Sequence, residues 1–148
     1  MNAGSTPRRS ARGNKPKTGV PKSLPLIWWR SVPASDFHSS AIDVMRGTIA
    51  NIEMLHEPRW RKAVAGDAAS AFNLALSIDP TGLGQSKLNL AMTALVICAH
   101  EGNPTACVVV ASVINRTKGI RAKEELAYSW ALRASAMMAD RTAIEAPD

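Results

Sequence analysis

Four residues around one glycine come nearest to a chemical site in this chain. Cys98, His100 and Glu101 precede Gly102 and Cys107 follows it, so a turn there could bring two thiols, an imidazole and a carboxylate together. These are zinc-ligand types, but structural zinc asks for four of them at characteristic spacings, and the spacing here fits none. Two thiols inside apolar stretches read more simply as small buried hydrophobes beside a solvent-facing His at a helix end. His56-Glu57 lacks the second His, four residues on, that a metalloprotease helix needs. Gly82-Leu83-Gly84-Gln85-Ser86-Lys87 has the residue types of a phosphate loop, but neither its glycine spacing nor a preceding strand. With no paired-carboxylate or nucleophile-elbow pattern either, the reading is a non-enzyme that holds no metal and no cofactor.

The residues best suited to binding are Leu26, Ile27, Trp28 and Trp29. Aromatic anchors can supply most of the energy of an interface. Their segment lies between Pro21 and Pro33, with Pro25 inside it, which favours extended or polyproline-like backbone over helix. Such an arm either docks in a groove on a partner protein or folds back on its own helices. Trp60 and Trp130 fall within helical patterns and read as core.

Charge divides the chain in the same place. Residues 1–35 carry seven bases and no acid, whereas residues 36–148 hold eleven bases against twelve acids and are close to neutral. A basic arm on a neutral body argues against a folded domain with a basic face. Arg8, Arg9, Arg12, Lys15, Lys17 and Lys22 could each neutralise a phosphate, giving salt-sensitive, unspecific contact with nucleic acid. The Gly-, Pro- and Ser-rich stretch 1–23 has little to bury and is expected to be disordered in isolation. Arg8-Arg9 resembles a twin-arginine signal, but no apolar region follows closely, and the acid-free start also resembles an organellar transit peptide. With two cysteines, no secretory apolar segment and no apolar run long enough to span a bilayer, the expected location is cytoplasmic.

The elements that must position these residues are helical. Hydrophobic content of 46% with only 5% aromatics gives enough apolar material for one all-α core. Apolar residues at three-to-four spacing predict a helix over 36–56, ended by Pro58, and a short one from Pro58 to Ala65. Further helices are expected from Asp67 to Asp79, over 86–101, from Asn103-Pro104 to Thr117, and from about Ala122 to Asp140. This gives an arm over 1–35, a helical domain over 36–142 and a flexible tail over 143–148.

Residues 66–101 laid over 102–137 show seven identities without a gap, at Gly66/Gly102, Ala75/Ala111, Ile78/Ile114, Thr81/Thr117, Lys87/Lys123, Leu90/Leu126 and Ala91/Ala127. A period of 36 with matches at turns and mid-helix small residues suggests stacked αα-hairpins, a short α-solenoid. Gly66-Asp67 and Gly102-Asn103, the run Asn73-Leu74-Ala75, the Gly82-x-Gly84 turn and Ala127-x-x-Trp130-x-x-x-Ala134 make the stretch resemble the Sel-one-like repeats, relatives of tetratricopeptide repeats. The resemblance covers about residues 66–140 and implies small residues at helix crossings and a Trp filling the gap between helices. Ala94 stands where the first unit would have that Trp, Lys118-Gly119 half reproduces the glycine turn, and Ala63-Val64-Ala65-Gly66 reads like the end of an earlier unit. Two units need their ends covered; residues 36–65 are the expected N-terminal cap, and a partner or a second copy of the chain the expected C-terminal one. The function expected is an adaptor, regulator or assembly subunit that binds protein, with nucleic-acid association through the arm as the alternative.

Overall fold

The computed structural model describes residues 23–82 and 85–145. Those residues form six α-helices, α1 Ser39–Ala50, α2 Pro58–Val64, α3 Ala68–Ser77, α4 Gln85–His100, α5 Pro104–Arg116 and α6 Lys123–Glu145, preceded by two 3-10 turns at Pro25–Arg30 and Ala34–Asp36. The protein is all-α, and no strand occurs among the described residues. Nor is any of these helices long and apolar enough to cross a membrane.

α4 is the axis of the molecule. It touches α1, α2, α3, α5 and the first 3-10 turn, so residues 91–99 are buried without a break, Thr93 included. A helix covered on every side needs no polar face, which is why Ala91-Met92-Thr93-Ala94-Leu95-Val96-Ile97-Cys98-Ala99 shows no amphipathic stripe. Thr93 satisfies its hydroxyl within the helix by donating to the Asn89 carbonyl at 2.8 Å.

The same corner is built twice, 36 residues apart. Gly66 and Gly102 take φ of +105° and +108°, a region L side chains rarely enter. Around the first, Gly66 N–H donates to the Ala63 carbonyl at 3.0 Å and Asp67 N–H to the Lys62 carbonyl at 2.9 Å. Around the second, Gly102 N–H donates to Ala99 at 3.2 Å and Asn103 N–H to Cys98 at 3.3 Å. Both are the paired bonds that close a helix on a left-handed glycine. The next helix then starts on a side-chain cap, with Asp67 Oδ2 accepting from Ser70 N–H at 3.2 Å and Asn103 Oδ1 from Ala106 N–H at 3.0 Å. α3 packs on α4, α5 on α6, and α5 in turn on both α3 and α4.

Three expectations change. The first helix is shorter than 36–56: α1 ends at Ala50, because Trp60 Nε1 takes the Ile52 carbonyl at 2.9 Å and His56 turns through φ +59°. Residues 24–29 are not an extended arm. Leu24 is extended, as a residue before proline should be, but Pro25 then starts a 3-10 turn in which Ile27 N–H donates to the Leu24 carbonyl at 3.1 Å. The folded part thus reaches back at least to residue 23, and α6 runs to Glu145, so the first residues assigned to the flexible tail are helical.

Candidate functional site

The 3-10 turn Pro25–Arg30 is wedged between α1 and α4. Successive side chains of a 3-10 turn point about 120° apart, so neighbours can both be buried only if the turn is covered on two sides. Trp28 and Trp29 are both 0% exposed. Trp28 Nε1 donates to the Ser23 carbonyl at 2.9 Å, and Trp29 Nε1 to Asn89 Oδ1 at 3.0 Å. Arg30 Nε reaches the same oxygen at 3.1 Å, its guanidinium stacks 4.5 Å above the Trp29 ring, and it also donates to Gln85. Burial holds the Arg30 pKa below its ordinary value. Asn89 and Gln85, one turn apart on α4, therefore latch the N-terminal segment to the axis of the fold. Further on, Ala34 N–H donates to Ser129 Oγ at 3.0 Å and Phe37 lies 5.7 Å from Trp130, which ties the same segment to α6.

This corrects the expected role of the tryptophans. Trp28 and Trp29 are spent on the protein's own core and present no surface to a partner. Leu26 and Ile27 behave differently. With Leu24, Ile52, Asn89 and Leu90 they line an apolar groove of about 340 Å³ between the 3-10 turn, the end of α1 and the first turns of α4. Leu24 at its edge is 71% exposed. Of the groove residues, sequence reasoning singled out Leu26 and Ile27. It missed Asn89, whose signal was a lone amide in an apolar run, and Ile52, which left the α1 stripe when the helix stopped early. Arg8, Arg9, Arg12, Lys15, Lys17 and Lys22 lie outside the described residues, as do Leu83 and Gly84 of the glycine turn.

The constellation around Gly102 does not assemble chemistry. Cys98, Glu101, Gly102 and Asn103 line a small polar cleft with Gly66 and Arg141. The Cys98 thiol is buried against the Gly66 carbonyl at 4.0 Å, whereas Cys107 faces the Ala99 carbonyl and the Met137 sulfur, each at 4.0 Å. Burial, reinforced by the charges of Glu101 and Asp67, pushes the Cys98 pKa up to about 11, and burial raises that of Cys107 as well. A reactive thiol needs the opposite surroundings. His100 titrates below its ordinary value because it is partly desolvated and faces Arg133 and Arg46. Among the described residues no three His, Cys, Asp or Glu side chains come together as a metal site would require.

The chain matches no family model, no curated protein and no solved structure. A function has to be read from the groove and the chemistry around it.

Proposed function

We propose that this chain is a protein-interaction module, an adaptor, regulator or assembly subunit that works by binding and not by catalysis. The observation that carries the reading is the apolar groove beside Leu24, Leu26 and Ile27, held open by a segment latched to α4. An apolar groove is a recurring seat for the apolar side chains of a partner's segment. Cys98 and Cys107 are both buried with raised pKa, the reverse of the surroundings that activate a thiol.

The architecture behind the groove is read as a short stack of Sel-one-like αα-hairpins. The two matching glycine corners, with their side-chain caps at the same offset, support it. The Lys62 and Ala63 carbonyls that close the first corner correspond to Cys98 and Ala99 at the second, so α2 stands in for the end of an earlier unit. Residues 23–64 then serve as the cap on that side.

The test is capture on the immobilised full chain, comparing it with a Leu24→Asp variant whose circular dichroism matches the parent. The expected result is a specific protein retained by the parent and lost by the variant. Equal retention by both would overturn the groove as the site. A second reading, contact with nucleic acid, is favoured by the six bases and no acid of residues 1–22. It predicts affinity for an oligonucleotide that falls steeply with salt.

A further inference from the structure

We infer that the outward face of α6 is an interface between two copies of this chain, which pack α6 against α6 in antiparallel orientation. The inference goes beyond the groove and rests on the stacked-hairpin reading of the architecture.

The 36-residue register shows that this face is a seat. Met92, Leu95, Val96 and Ala99 of α4 are all 0% exposed. Thirty-six residues on stand Tyr128, Ala131, Leu132 and Ser135 of α6, all of them exposed, Tyr128 at 63% and Leu132 at 51%. The difference lies in the neighbours. α4 has the next unit beside it, where the Cys107 thiol of α5 meets the Ala99 carbonyl at 4.0 Å. Among the described residues α6 packs mainly on α5 and on the turn Ala34–Asp36, so it offers the place for a further helix without the helix. Its composition agrees. Between Glu125 and Asp140 the one charged residue is Arg133, which is half-buried and donates inward to the His100 carbonyl at 3.5 Å. A helix face left to water is normally polar.

The seam also says what fits it. Tyr128, Leu132, Ser135 and Ala139 are spaced four, three and four residues apart, the spacing by which one helix pairs with another. Its two large side chains stand toward the N-terminal end of α6 and its two small ones toward the C-terminal end. An antiparallel second copy, with the two-fold axis between residues 133 and 134, sets Tyr128 opposite the other copy's Ala139 and Leu132 opposite its Ser135. Every large side chain then meets a small one, and the face is its own complement. A parallel copy would set Tyr128 on Tyr128 and leave a gap at Ser135. Head-to-tail stacking is blocked because residues 23–64 cover the other end of the stack. A seam of about three turns, roughly 17 Å long, buries less than the about 800 Å² per copy of a standard interface. The dimer is therefore a weak one, forming at tens of micromolar or above.

The experiment is sedimentation velocity on the full chain from about 5 to about 500 µM, with circular dichroism confirming that each variant folds as the parent does. The parent's average mass is expected to rise from that of one chain toward that of two. Leu132→Glu, which would place a carboxylate in the seam, should weaken association about tenfold or more. Mixing it with Ser135→Lys should restore a dimer, because antiparallel pairing brings residue 132 of one copy to residue 135 of the other. Leu24→Asp, in the groove, should leave association unchanged, which keeps this outcome separate from that of the groove. A parent that stays monomeric at about 500 µM overturns the second copy and leaves the face to a helix of another protein. Association that ignores Leu132→Glu, or that Leu24→Asp abolishes, overturns α6 as the contact. A mixture that fails to associate overturns the antiparallel register.

Discussion

Replacing Trp29 by alanine separates a scaffold tryptophan from a docking tryptophan. A fully buried indole removes about 200 Å² from water, worth about 5 kcal/mol at about 25 cal/mol per Å². Alanine retains part of that, and Trp→Ala changes in cores usually cost about 3–5 kcal/mol. Loss of the stacking with Arg30, 4.5 Å away, adds about 0.5–1 kcal/mol. Loss of the indole N–H adds little, because Asn89 Oδ1 keeps its bond from Arg30 at 3.1 Å and is not orphaned. The expected destabilisation is about 4 kcal/mol, a large share of the stability of a domain this size. At about 2–4 °C per kcal/mol it lowers the Tm by roughly 8–16 °C. Urea unfolding followed by far-ultraviolet circular dichroism measures it, with Leu24→Ala as the control. At 71% exposure that control should change stability by no more than about 0.5 kcal/mol. A loss below about 1 kcal/mol for Trp29→Ala would refute the packing argument and restore Trp28-Trp29 as a free arm.

Two further outcomes follow from the corners and the thiols. Asp67→Ala and Asn103→Ala each remove a side-chain cap of the same geometry, so each should cost about 1 kcal/mol, and denaturant midpoints that differ widely between them would argue against equivalent units. With its pKa near 11, Cys98 is about one part in a thousand thiolate at pH 8; a disulfide reagent should label the native protein at least about 100-fold more slowly than the unfolded one, and a fast native phase would contradict this. The sign for stability follows from the same shift. Folding favours the neutral thiol, so its contribution is complete below the ordinary thiol value and fades as pH rises toward about 11.

The helices and both glycine corners were legible because their signals are local. A glycine at +φ, an Asp or Asn cap and a proline at the first helical turn act within a few residues. The ends of α1 and the state of residues 24–29 were not legible, because distant groups decide them. Trp60 captures the Ile52 carbonyl across eight residues, and Asn89 captures Trp29 across sixty. Proline correctly marked Leu24 as extended, but it equally suits the first position of a helical turn, and tertiary contact with α4 chose between the two. For the site, Leu26 and Ile27 were readable as apolar residues in a short strip. The opposite wall of the groove was not, since Ile52 and Leu90 reach it only through the packing of α1 and α4.

Burial of the indoles has an optical consequence. All four tryptophans of the chain are at most 2% exposed, while its only tyrosine, Tyr128, is 63% exposed. Each indole also sits where two parts of the chain join: Trp28 and Trp29 between the 3-10 turn, α1 and α4, Trp60 against the loop after α1, and Trp130 against Phe37. Opening any of these joints puts a different emitter into water, so variants carrying a single tryptophan would turn the intrinsic fluorescence into a map of which joint parts first. Trp28 follows directly on Ile27 of the groove wall, which gives that map a channel for reading an occupant without a label.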